Sequence, residues 1–189
     1  MKQQIAQMSR IDLVDELLAS PYAESGQKAD KAKLSAGKEL AILKRKLAVA
    51  KAIMLRDMQE KMMGKDLISS PAQSREWLKL RYAGVEHEAF ILLHLDARNR
   101  LLSIDEIFRG TLTYTSVYPR EVLKSALESN SASVIFVHNH PSGDTDPSQS
   151  DQTITLNLKN ALALVDIRVI DHLIVGADKI SSFAELGML

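Results

Sequence analysis

Four consecutive apolar residues, Val134-Ile135-Phe136-Val137, run straight into His138-Asn139-His140-Pro141-Ser142-Gly143, and a helical pattern resumes only at Ser148. A short apolar run ending at a turn signal reads as a buried strand. Pro141, Gly143 and Pro147 keep both strand and helix from continuing through the segment. The chain must therefore pass from strand to loop to helix here, so an α/β fold is expected. Side chains two apart on an extended chain point the same way, so His138 and His140 aim their imidazoles at one place. Asp151 falls in the first turn of the next helix, where the positive end of the helix favours a carboxylate.

Two imidazoles and a carboxylate form a ligand set for catalytic zinc, with the fourth position left to water. Such a site needs a proton acceptor that is not itself a ligand. Glu88, at the head of the apolar run Ala89 to Leu95, is the candidate, and Glu86 projects from the same face. A donor to the developing oxyanion is also needed, and the Ser148 hydroxyl is placed for that. Each piece alone has a plainer reading. A bare His-x-His is weak, Glu88 reads equally as a strand-edge charge, and Ser148 with Asp151 forms an ordinary helix-capping pair. The combination carries the specificity.

Elsewhere, residues 9–19 read as a helix with capping-box spacing between Ser9 and Asp12. Residues 22–33 read as a loop. A long helix over 34–62 carries an apolar stripe, Ala36, Leu40, Leu43, Leu47, Ala50, Met54, Met58 and Met62, taken as its packing face. Ser70-Pro71 starts a helix over 72–82. Strands over 89–95 and 101–108 flank the turn Asp96-Ala97-Arg98-Asn99 as a hairpin, and a further strand is expected over 111–114. A helix over 119–129, strands over 133–137 and 167–175, a helix over 148–165 and a short terminal helix capped by Ser182 complete the pattern.

The 46 % hydrophobic content suffices for a sizeable core. Absence of cysteine excludes disulfides, thiolate zinc sites and a cysteine nucleophile. Net charge is zero, so bulk charge points to neither nucleic acid nor membrane. No run reaches the roughly 18 apolar residues of a membrane span. Met1-Lys2-Gln3-Gln4 does not open a signal-peptide core, and a soluble cytoplasmic protein is expected. The basic stretch over 28–56, including Lys44, Arg45 and Lys46, is a candidate nucleic-acid surface; a solvated helix face is the plainer reading.

The spacing His138-x-His140, seven residues, Ser148, two residues, Asp151 is similar to the JAMM motif of MPN-domain metalloproteases. The fuller string His-Asn-His-Pro-Ser-Gly resembles the bacterial RadC family, historically labelled as DNA-repair proteins. Glu88-x-Phe90, Gly110-Thr111-Leu112, Tyr118-Pro119-Arg120-Glu121, Asp171-His172-x-Ile174-x-Gly176 and Ser182-Phe183-Ala184-Glu185 fit that family too. The resemblance implies an MPN-like mixed sheet flanked by helices over residues 66–189, after a helical region over 1–65. It also implies one Zn²⁺ at His138, His140 and Asp151, Glu88 as acid/base and Ser148 at the tetrahedral intermediate. Full-length members resemble a helix-hairpin-helix module upstream with a Gly-x-Gly hairpin, whereas Ser25-Gly26-Gln27-Lys28-Ala29-Asp30 has one glycine.

The activity expected is zinc-dependent hydrolysis of an amide in a peptide or isopeptide-like substrate. A DNA-repair-associated nucleic-acid-binding protein and a catalytically silent MPN scaffold are the rivals. Arg120 reads either as a steering charge for an acidic substrate or as half of an ion pair with Glu121, Asp105 or another acid. His172 reads as a packed strand histidine in preference to a partner of the metal site.

Overall fold

The computed structural model describes residues 2–19, 36–110 and 117–189. The expected loop over 22–33 and strand over 111–114 lie outside them, as do residues 28–35 of the basic stretch. The chain divides into two compact units, Met1–Glu60 and Lys61–Leu189.

The first unit holds α1 (Lys2–Gln7), α2 (Arg10–Leu18) and most of α3 (Ala36–Met62). Ser9 caps α2 through the expected box: its hydroxyl accepts the Asp12 N–H and Asp12 accepts the Ser9 N–H, both at 3.1 Å. Ile5, Leu13 and Val49 form the centre, with Met8, Leu17, Ala48, Ala52 and Ile53 packed around them. This corrects the expected stripe. Leu40, Leu43, Leu47 and Met54 are exposed, and α3 packs through its Val49 face instead. Small Ala48 and Ala52 let helices approach closely, and contact geometry outweighs the bulkier periodicity. Two basic residues of α3 are engaged inside this unit: Arg45 pairs with Glu16, and the Lys46 ammonium donates to the carbonyls of Leu17 and Ala19 at 3.0 Å. Lys46 thus caps the C-terminal end of α2.

The second unit is the expected mixed α/β domain. Its elements are α4 (Pro71–Tyr82), β1 (Ala89–Leu95), β2 (Leu101–Arg109), α5 (Pro119–Glu128), β3 (Ser133–Asn139), α6 (Gln149–Ala163), β4 (Arg168–Val175) and β5 (Ile180–Ser182). The strands form one sheet in the order β2-β1-β3-β4-β5. Only β3 and β4 pair in parallel, joined through α6 as parallel neighbours require. The β1–β2 hairpin turns where Asp96 Oδ1 accepts the N–H groups of Arg98 and Arg100 and Asn99 adopts φ 57°. Both central strands, β1 and β3, are buried at every position, which is why they read as unbroken apolar runs. Phe90, Leu92, Val134 and Phe136 pack in one core with Val122 and Ala126 of α5 and Leu158 and Leu162 of α6. Pro71 and Pro119 stand at the first turns of α4 and α5, where a missing N–H costs nothing.

Three further details depart from the sequence reading, the first being β5 (Ile180–Ser182), which was not expected as a strand. α1 was not expected; six residues are too few to display a helical period. Beyond β5 there is a turn rather than a helix. The Ser182 hydroxyl donates to Asp171 Oδ2 (2.6 Å) and accepts the Glu185 N–H, while Asp171 Oδ1 takes the Ala184 N–H. Asp171 draws this turn onto β4, and Gly187 at φ 69° ends it. Among the described residues no helix is long and apolar enough to cross a membrane.

Candidate metal centre

The register of the sheet positions the candidate residues. β1 and β3 run antiparallel with Phe90 opposite His138 and Ala89 beyond it toward Asn139. Glu88 directly precedes β1, two residues before Phe90, and its charge acts on the His140 imidazole. Side chains of Glu88, Phe90, Phe136 and His138 thus share one face by the two-residue period of the strand. α6 covers that face, and Asp151 stands in its first turn.

Three ligand atoms converge here. His138 Nε2 lies 2.8 Å from His140 Nε2 and 3.2 Å from Asp151 Oδ1, and His140 Nε2 is 3.6 Å from Asp151 Oδ2. Atoms that bind one zinc at roughly 2.0–2.2 Å must lie within about 4.4 Å of each other. These do. The other nitrogen of His140 is already committed: Nδ1 stands 2.9 Å from the Asp144 carbonyl, which can only accept, so Nδ1 carries the proton. Neutral His140 therefore turns a bare lone pair toward His138. His138 Nδ1 is in turn 2.8 Å from His172 Nε2. His138 Nε2 and His140 Nε2, facing each other at 2.8 Å, need a hydrogen or a metal between them, and with Asp151 beside them the donor set suits a borderline-soft divalent ion. The residues fit zinc. His138, His140 and Asp151 are also the group of histidine and acidic residues in the described chain with ligand atoms close enough to hold a metal.

Electrostatics follow the same geometry. Hydrogen bonding to Asp151 raises the His140 imidazole above its ordinary value, against the opposing effect of burial. Burial is the largest influence on Asp151 and acts to raise it; hydrogen bonds from His138, His140 and Ser148 outweigh it and hold the carboxyl far below its usual range. Ser148 is the N-cap of α6 in a full capping box with Asp151. Its hydroxyl donates to Asp151 Oδ2 at 2.6 Å and its N–H reaches the same oxygen at 2.8 Å, which leaves Oδ1 the less committed oxygen.

A family model for the RadC-like JAB domain matches residues 68–188. The chain belongs to the RadC-like JAB family. Several curated relatives carry the name UPF0758. One from Leptothrix cholodnii is 44 % identical over 181 residues, covering 95 % of this chain and 82 % of its own length. One from Nitrosospira multiformis is 52 % identical and one from Aromatoleum aromaticum 56 % identical, each over 71 % of this chain and 60 % of the relative. The chain thus spans about 60 % of the length of several curated RadC-like relatives it matches.

Three further residues of this RadC-like JAB domain bear on the centre, and sequence reasoning gave them no role there or the wrong one. Asn139, between the two histidines, clamps the entry to β1: its Oδ1 accepts the Ala89 N–H at 2.8 Å and its Nδ2 donates to the His87 carbonyl at 2.9 Å. Glu88 is the residue held between those two contacts. Nothing in the sequence alone names its target, because the contact depends on β1 being the neighbour of β3. His172 is fully buried, as a packed strand histidine would be, but it also hydrogen-bonds His138, which overturns the preference for packing alone. Gly176 follows β4 where His140 N–H bonds the Val175 carbonyl, and a Cβ there would stand 2.4 Å from the Gly143 carbonyl oxygen. Arg120 has local partners: Glu121 at 3.4 Å and the Tyr118 ring, 5.6 Å from its guanidinium carbon.

Proposed function

We propose that this protein is a zinc-dependent metallohydrolase that cleaves the amide of a peptide or isopeptide-like substrate. The observation that supports this best is the convergence of His138 Nε2, His140 Nε2 and an Asp151 oxygen, with His140 already protonated on its outer nitrogen. Zinc held by those atoms would polarise the carbonyl and acidify a water toward neutral pH.

The chain's own residues supply the rest. Glu88, whose charge reaches His140, takes a proton from the attacking water as the new C–O bond forms. It then delivers that proton to the departing nitrogen as the C–N bond breaks, so the products are a carboxylic acid and an amine. The Asn139 clamp on His87 and Ala89 fixes the backbone from which Glu88 reaches in. The Ser148 hydroxyl, donated to Asp151 in this state, turns to the substrate oxygen as negative charge collects on it. Location in the cytoplasm accords with the lack of any described helix able to cross a membrane.

The reading is tested with zinc-loaded protein, quenched-fluorescence peptides and an isopeptide-linked lysine substrate. Glu88→Gln is expected to keep zinc and lower kcat by roughly 10²–10⁴-fold. His138→Ala is expected to lose the metal. A Glu88→Gln protein that turns over like the wild type, or a His138→Ala protein with full zinc content, would falsify the assignment.

A further inference from the structure

Behind the metal ligands lies a closed chain of polar atoms in an otherwise apolar core. His138 Nδ1 is 2.8 Å from His172 Nε2, and His172 Nδ1 is 2.6 Å from Thr155 Oγ1. The Thr155 hydroxyl donates to the backbone carbonyl of Asp151, one helical turn earlier on α6. His138, His172 and Thr155 are all buried. We propose that His172 and Thr155 are positioning residues that lock His138 in the tautomer protonated on Nδ1, leaving Nε2 bare toward the metal. This deepens the zinc reading and rests on it for its purpose.

The direction of the chain follows from proton counting. A threonine hydroxyl has one hydrogen, and here it goes to a carbonyl that can only accept. The oxygen therefore turns a lone pair to His172 Nδ1, which must carry a hydrogen. A neutral imidazole has one N–H, so His172 Nε2 is an acceptor. His138 must then donate through Nδ1. The other His138 tautomer would place a hydrogen on Nε2, where the metal binds, and oppose two lone pairs across 2.8 Å at the fully buried His172; the lone pairs that the Nδ1 tautomer brings together lie instead at the half-open end beside His140 and Asp151, where a metal or solvent relieves them.

Packing holds the relay in place. Phe183 stacks on the His172 ring with centroids 4.8 Å apart, and Phe90 and Phe136 meet it edge-on at 5.6 and 5.7 Å. The rings restrict rotation of His172, so its two nitrogens stay assigned. His140 gets its tautomer more simply, from the Asp144 carbonyl. The relay also joins the ligands: it starts at the main chain of Asp151 and ends at the side chain of His138.

Nitrogen NMR of ¹⁵N-histidine protein reads the tautomers directly. Metal-free wild type is observed at a pH about two units above the ordinary imidazole value of roughly 6.5. His138 and His172 are both expected to carry their hydrogen on Nδ1. Zinc affinity is then measured by competition with a chromophoric chelator. Thr155→Val keeps the shape but removes the acceptor; it should release the His172 tautomer and weaken zinc about 10–100-fold. Thr155→Ser should restore the wild-type spectrum and affinity. His172→Gln, which offers a carbonyl to His138 Nδ1, should bind zinc more tightly than His172→Phe. The relay is overturned by a wild-type spectrum with His138 protonated on Nε2, which needs no variant to fold. It is equally overturned by a folded Thr155→Val protein with unchanged tautomers and unchanged zinc affinity. Wild type that fails to bind zinc yet has the expected tautomers removes the hydrolase reading and leaves the relay standing.

Discussion

His94 lies at the end of β1 away from the metal centre, and no water reaches it. Its Nδ1 meets the Ser131 hydroxyl at 2.8 Å; its Nε2 is 3.1 Å from both the Ser125 hydroxyl and Asp105 Oδ2, and Ser125 donates to Asp105. Burial lowers the His94 imidazole below its ordinary value, and Asp105, half open to solvent, only partly offsets that. The folded protein therefore keeps His94 neutral where the unfolded chain would bind a proton. Stability present above pH of about 6.5 is lost as pH falls from there toward the lowered folded value. Urea unfolding in excess chelator, followed from about pH 7.5 to 5.5 across the imidazole range, should show wild type losing more stability than His94→Gln. Equal losses in the two proteins would mean that His94 does not titrate on unfolding. At this same scale the cluster of His138, His140 and Asp151 was legible because its chemistry is local: two histidines two apart and an acid in the next helix. His172 was not, since its partner is set by the parallel pairing of β3 with β4, whose register shifts at Val134/Ile135.

The His140 N–H ties the chain after β3 to the Val175 carbonyl of β4, and Gly176, just after β4, packs against the loop that follows. A Cβ at Gly176 would stand 2.6 Å from Thr145 Cγ2 and 2.4 Å from the Gly143 carbonyl, closer than real atoms pack. Gly176→Ala must push the loop outward, and that loop carries the Asp144 carbonyl that orients His140. The expected result is a loss of about 1–3 kcal/mol in stability and about tenfold or more in zinc affinity, read by urea unfolding and chelator competition. Undiminished zinc binding would show that His140 does not depend on the loop's position. The elements were legible wherever pattern and burial agree, as in the buried runs of β1 and β3 and the capping boxes of α2 and α6. They were misread where tertiary contact decides. The packing face of α3 went to Val49 over the larger leucines, and the last residues formed a turn because Asp171 captures the Ala184 N–H.

At the scale of the whole chain, every candidate ligand and proposed relay residue lies in the unit Lys61–Leu189. Zinc that binds only the folded form should stabilise it by about 4 kcal/mol at a thousandfold excess over Kd. For a chain of this length that corresponds to roughly 10 °C in Tm. Calorimetry of the full chain with zinc and with excess chelator should resolve the difference, and His140→Ala should melt alike under both conditions. If the wild type also melts alike, the centre holds no zinc. The single parallel pairing in the sheet has a consequence for the descent of such domains. β3, α6 and β4 are one uninterrupted stretch, and it brings the three candidate ligands together with His172 and Thr155, whereas Glu88 stands far upstream, just ahead of β1. On the proposed chemistry, the grip on the ion is encoded in a single cassette and the proton carrier apart from it. One substitution upstream would leave a fully loaded yet inert descendant, and damage to the cassette would leave an intact carboxylate with nothing to act upon.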